Sequence, residues 1–162
     1  MLSFLQRQRK DECSSELLTS KLYNEDTFYP SFMKDLDGCG SELIIECPFV
    51  TYRRLDRLMP AFEKLKARRV RLIVNTRDPH EYVEERRRDD AHRVIASLQR
   101  LGIHVLFTGG HHRKLVILDR NILYEGSLNV LSQNDSSEVM RRIESAQLAW
   151  QMIRFIEIDK HI

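Results

Sequence analysis

The residues best placed to do chemistry lie between positions 112 and 129: His112, Lys114, Asp119, then Gly126, Ser127 and Asn129. On a strand, side chains two apart share a face, so the His112 imidazole and the Lys114 ammonium project together. Asp119 has the opposite parity. It is expected on the other face as a buried structural anchor rather than a reacting group, with Leu115 and Ile117 packing under helices on its side. Gly126 lets the backbone come close to a ligand, and Ser127 and Asn129 follow it as neutral donors. An imidazole nucleophile, a cation and neutral donors are what attack on a phosphodiester needs.

Alternating elements must hold these residues. Residues 43–48 read as a buried strand closed by Pro48, and Leu55, Leu58, Met59, Phe62 and Leu65 then recur at helical spacing. Pro60 marks a start or a kink in that helix. Residues 70–74 form a second strand. Ala91, Val94, Ile95, Leu98 and Leu101 make another helical stripe that Gly102 stops, and residues 103–107 form a third strand. Residues 115–118 and 122–124 pair across the turn residues Asp119, Arg120 and Asn121. A strand over 139–143 and an amphipathic helix over 145–156 complete the pattern. Strands alternating with helices define an α/β domain over residues 25–162, and the polar residues 1–24 read as a short N-terminal helix or linker.

The bulk composition suits one globular domain: 162 residues, 42% hydrophobic and 31% charged. No apolar run reaches membrane-spanning length, and residues 1–10 lack the apolar stretch of a secretory signal. Cys13, Cys39 and Cys47 are an odd number without a Cys-x-x-Cys pair, which suits reduced packing thiols in a cytoplasmic protein. The net charge of +2 does not oppose a polyanion. Basic residues cluster at Arg53, Arg54 and Arg57, at 64–71, and at Arg86, Arg87 and Arg88, either as solvated helix faces or as phosphate contacts.

The spacing from His112 to Asn129 resembles the phospholipase D superfamily pattern His-x-Lys-x4-Asp-x6-Gly-Ser-x-Asn at every fixed position. Six specified residues, each used about one time in twenty, coincide by chance roughly once in a million. The register is unambiguous: starting at His111 would put Arg113 and Leu118 at the lysine and aspartate positions, so His111 is a neighbour facing away. Weaker resemblance runs over about residues 26–156, including Phe28-Tyr29-Pro30 before a helix and the strand ending in Pro48-Phe49.

The resemblance implies a phospholipase D-like fold, a central mixed β-sheet flanked by helices on both faces. It implies His112 as nucleophile, Lys114, Ser127 and Asn129 around the phosphate, and Glu138 as an acidic group orienting the imidazole. The implied route forms a phosphohistidine and uses two imidazoles. His80, His92, His104, His111 and His161 lack a following Lys-x4-Asp, so the second imidazole is expected from a second copy of the chain in a homodimer. No metal or other cofactor is implied. The expected activity is cleavage of nucleic acid, DNA first, without membrane contact. Two other readings stay open: a non-catalytic nucleic-acid-binding or dimerisation module of a larger helicase- or restriction-type protein, and a phospholipase or phosphatidyltransferase.

Overall fold

The structure, a computed structural model, describes residues 15, 19–132 and 135–162. Seven strands form one sheet in the order β1-β7-β6-β5-β2-β3-β4: β1 Lys21–Tyr23, β2 Glu42–Glu46, β3 Arg71–Thr76, β4 His104–Phe107, β5 Leu115–Leu118, β6 Ile122–Gly126 and β7 Met140–Glu144. The pairs β2/β3 and β3/β4 are parallel, joined by crossovers through helices α2 (Tyr52–Ala67) and α3 (Glu85–Arg100). The pairs from β1 to β5, and β5 with β2, are antiparallel. Strand β5 therefore joins two halves of opposite character, and its first residue, Leu115, lies beside the C-terminal residue of β2, Glu46.

Helices cover both faces, as the resemblance implies. Helices α1 (Glu25–Gly38), α2 and α3 pack on one face through Phe28, Phe32, Leu36, Leu55, Phe62, Val94 and Leu98, against Leu43, Ile45, Val116 and Tyr124 of the sheet. Helix α4 (Ala146–Ile156) covers the other, seating Ile153 and Ile156 on Ile44, Ile73, Leu115, Ile117 and Ile143. Strand alternation sorts the two sets: Leu115 and Ile117 face α4, while Val116 and Leu118 face the three-helix layer. The β5–β6 turn uses positive φ at Asp119 (50°) and Arg120 (54°), a twist that suits the hairpin. Gly102, at φ 75°, ends the turn after α3.

Three local expectations are corrected. Lys21–Tyr23 fall within the stretch read as a helix or linker, yet they pair with β7 as an edge strand; three residues are too few to show a period. Residues 1–14 and 16–18 of that stretch, Cys13 among them, lie outside the described residues. Phe28-Tyr29-Pro30 lie inside α1 rather than before it, because Asn24 and Thr27 form a capping box that starts the helix at Glu25. Helix α2 starts at Tyr52 and continues through Pro60. Each proline forgoes one backbone bond, and burial of Phe28, Phe32, Leu55 and Leu58 holds the helices together regardless.

Candidate active site

One end of the sheet gathers the ends of β2, β3 and β6 with the start of β5, the crevice where open α/β sheets bind ligands. Residues 111–114 approach β5 there, still alternating. His112 is exposed and Lys114 half-buried, and the Lys114 Nζ lies 3.1 Å from His112 Nδ1 and donates to the His112 carbonyl at 3.0 Å. A charged ammonium can only donate, so Nδ1 accepts and a neutral His112 ring carries its hydrogen on Nε2. Phe49, just past β2, sets its ring edge-on to the imidazole, with centroids 6.2 Å apart.

Ser127 and Asn129 enter from the end of β6. A Cβ on Gly126 would sit 2.1 Å from the Val139 carbonyl oxygen, so only glycine fits where β6 meets β7. Ser127 is then locked to Val139: its N–H donates to the Val139 carbonyl at 2.9 Å, and its Oγ accepts from the Val139 N–H at 3.1 Å. Asn129 is buried among Leu128, Val130 and Leu131, beside Cys47. The Leu131 carbonyl accepts from Thr51, and the Val130 carbonyl accepts from the Tyr29 hydroxyl. This loop fills the gap between the helix layer and β2, carrying Asn129 into a cleft of about 340 Å³ that Phe49, Thr51, Tyr82, Arg87, Asp90 and Ser132 also line. Burial pushes the Cys47 thiol up to about 12, leaving it an inert packing group.

The opposite face of the 111–114 segment is a buried polar cluster. His111 is buried with neither ring nitrogen hydrogen-bonded, and its Nδ1 lies 3.7 Å from a carboxylate oxygen of Glu46. The Glu46 side chain is fully buried and accepts from Arg113 Nε at 2.6 Å and from Asn75 Nδ2 at 2.8 Å. Arg77 Nε donates to the His111 carbonyl at 3.0 Å, and its guanidinium stands 5.3 Å from the Phe49 ring centre. Burial holds the His111 imidazole below its ordinary value, against the pull of Glu46. The adjacent histidines thus face opposite ways, one into solvent and one into the protein.

Asp119 lies at the other end of β5, away from His112. Its carboxylate accepts from the N–H groups of Gly40, Ser41 and Glu42 at 2.8–2.9 Å and from the Ser41 hydroxyl at 2.7 Å. Burial alone would raise it, but these donors, Glu42 and Gly40 foremost, hold it well below the usual carboxylate range. It ties the entrance of β2 to the β5–β6 turn. Glu138 stands on the chain entering β7, where its N–H donates to Glu25 at 2.9 Å and its carboxylate accepts from Ser136. The structure thus sets Lys114 against His112, carries Asn129 into a cleft lined by the same Phe49 that meets the His112 ring, locks Ser127 against Val139, and sends Asp119 away. Sequence reasoning did not mark Arg77, Tyr82 or Glu46 as parts of the site's frame. The signal for Glu46 and Arg77 was their position at the C-terminal ends of the parallel strands β2 and β3, while Tyr82, after the short turn Pro79–Glu81, carried none.

A family model described as "Cardiolipin synthase, PLD-like domain" matches residues 32–159. The chain belongs to this phospholipase D-like family, which acts on phosphodiesters and in phosphoryl transfer. Nuc from Salmonella typhimurium, a phospholipase D family member, aligns with a TM-score of 0.68 at 14% identity, over 85% of this chain and 90% of that one. NucT from Helicobacter pylori aligns with a TM-score of 0.67 at 14% identity, over 86% and 93%. Polyphosphate kinase from Porphyromonas gingivalis aligns at 0.66 and 13% identity, over 89% of this chain and 26% of that one. At these identities the likeness is one of fold. No curated protein matches the chain by sequence. Among the described residues, no helix is long and apolar enough to cross a membrane.

Proposed function

We propose that this chain is a metal-independent nuclease, cleaving DNA or RNA through a phosphohistidine on His112 at a site completed by a second copy. The observation that carries this reading is the placement of His112 and Lys114 side by side at the open end of β5, with Phe49, which lines the cleft that Asn129 enters, against the imidazole. A substrate phosphate draws Lys114 to its oxygens and frees Nδ1; the ring hydrogen then passes from Nε2 to Nδ1 by exchange with solvent, leaving the Nε2 lone pair to attack phosphorus. Glu138 is the acidic group that would hold the Nδ1 hydrogen, after its loop moves toward the ring. The P–O bond to the leaving oxygen breaks as the P–N bond forms, and that oxygen takes its proton from His112 of the second copy. Water then attacks phosphorus, giving its proton back to that imidazole and releasing His112. Ser127 and Asn129 stabilise charge on the phosphate oxygens.

The single His-x-Lys-x4-Asp sequence supports the shared site, and the +2 net charge with its arginine clusters supports a polyanionic substrate. The test mixes wild type with an excess of His112→Asn chains under subunit exchange, with excess chelator and labelled DNA or RNA. Activity is expected to fall below simple dilution, because a mixed dimer lacks either attacker or acid. Simple dilution, or a monomer in light scattering with full activity, would contradict the shared site. Loss of wild-type activity in chelator, restored by magnesium or zinc, would contradict metal independence.

A further inference from the structure

Arg54 is a cation without a counter-ion beside the catalytic loop. It lies one turn into α2, three residues after Thr51, which lines the cleft. Its guanidinium stacks on the Tyr29 ring, 3.9 Å from the centroid. The hydroxyl of that tyrosine donates to the carbonyl of Val130, the residue after Asn129. So Tyr29 holds Arg54 on one side and the Asn129 loop on the other. Among the described residues no carboxylate pairs with Arg54, nor with its neighbours Arg53 and Arg57. The Arg54 Nε is fully buried and makes no hydrogen bond.

In the free protein this arrangement is unfavourable on three counts. A half-buried guanidinium has lost water without gaining an acid, and its buried N–H is left unbonded at a cost. Burial first, and then repulsion by Arg57 and Arg53, lower its affinity for its proton, against the pull of Tyr29. Arg53 and Arg54 also stand in the first turn of α2, where the helix dipole disfavours cations; that turn holds no acidic residue of its own, and the Asp90 carboxylate reaches it only at the Tyr52 N–H. Among other partly buried arginines, Arg113 pairs with Glu46, Arg120 with Glu42 and Asp159, and Arg142 with Asp35. Arg88, whose Nε is likewise buried and unbonded, donates to the Tyr82 carbonyl, and Arg141 donates to the Ser20 hydroxyl; among the described residues Arg54 has only the Tyr29 ring. Cost without compensation, beside the loop that carries Asn129 into the cleft, marks a group waiting for an anion.

We propose that Arg54, held on Tyr29, is a second phosphate subsite that takes the backbone phosphate next along a nucleic-acid strand from the one at His112. The inference rests on the nuclease reading for its substrate class. A polynucleotide repeats its phosphate along the chain, so a cation displaced from Lys114 along the cleft gains a contact that a small diester cannot make. Arg54 binds; it takes no part in bond breaking.

The test measures binding of a short labelled single-stranded oligonucleotide to the His112→Asn chain across a salt series, with and without Arg54→Gln. Turnover of the oligonucleotide and of bis(p-nitrophenyl) phosphate is measured with His112 intact. Arg54→Gln should weaken oligonucleotide binding about tenfold and flatten the log–log salt slope by about 0.7. It should cost oligonucleotide turnover several times more than turnover of the small diester. Arg54→Lys, which keeps the charge, should recover most of the slope. Equal losses on both substrates would mean that Arg54 only supports the Asn129 loop, and an unchanged slope would remove the subsite outright. A slope change seen with anionic-lipid vesicles but not with the oligonucleotide would also overturn it. The nuclease reading fails separately, if the oligonucleotide is bound with this slope and never cut while His112 is present.

Discussion

At one end of β5 the Asp119 carboxylate accepts from three consecutive backbone N–H groups and a hydroxyl, and Glu42 beside it is tied to Arg71 and Arg120. At the other end His112 stands exposed, with the Lys114 ammonium at its Nδ1 and the Phe49 ring at its edge. Both residues belong to one sequence motif, and four strand residues separate the two ends. The contrast separates two kinds of work. The saturated end fixes where β5 begins and ends relative to β2, so that the unsaturated end presents its imidazole at a set place. Neither end can do the other's task, since a nucleophile needs an uncommitted lone pair and an anchor must have none.

The largest effect is expected at the open end. His112→Ala should lower cleavage by about 10³-fold or more, while the urea midpoint at pH 7 moves by less than about 0.5 kcal/mol equivalent. A large stability loss together with a small rate loss would erase the contrast between the ends.

At the tied end the pattern should invert. Asp119→Asn should cost roughly 2–3 kcal/mol of stability at neutral pH, with most of the rate per folded molecule retained. Because its folded pKa is depressed, the Asp119 contribution is present above the unfolded value near 3.9 and lost as pH falls below it. Urea titrations should therefore show the gap between wild type and Asp119→Asn closing in strong acid. A gap independent of pH would mean that shape, not charge, holds this end.

The smallest effect sharpens the contrast within a single dipeptide. His111→Ala should leave most of the activity and cost roughly 1–2 kcal/mol at pH 7 through the space it vacates. Burial depresses the folded pKa of His111, so between that value and the unfolded 6.5 the unfolded state binds more protons. Wild type should lose stability as pH falls below about 6.5, and His111→Ala should lose less of it. If the variant shows the same pH slope, another group carries that dependence.

Much of this was legible in the residues. Strand parity alone put His112 beside Lys114, His111 on the other side, and Asp119 out of the reaction, because alternation is a local property of an extended backbone. Helical stripes such as Ala91-Val94-Ile95-Leu98 marked α3 for the same reason. Gly126 was read as a place where a ligand approaches, and the structure corrects this: the group that comes close is the Val139 carbonyl. The edge strand at Lys21–Tyr23 was not legible, since the strand it pairs with, β7, lies more than a hundred residues away. Nor were the helix starts at Glu25 and Tyr52, because Pro30 and Pro60 spoke against helix and tertiary packing overruled them.

By itself, then, the sequence determined which residue types stand at which spacing: the motif, the α/β alternation, the parity of the two histidines. The tertiary structure decided what surrounds them. It set Phe49 against the imidazole, buried Glu46 behind His111, and brought Tyr29 of α1, Arg54 of α2 and the Asn129 loop into one wall. Those encounters join residues 25 to 101 positions apart, and no local period carries them. Only the sheet order and the packing of helices on its faces bring such residues together.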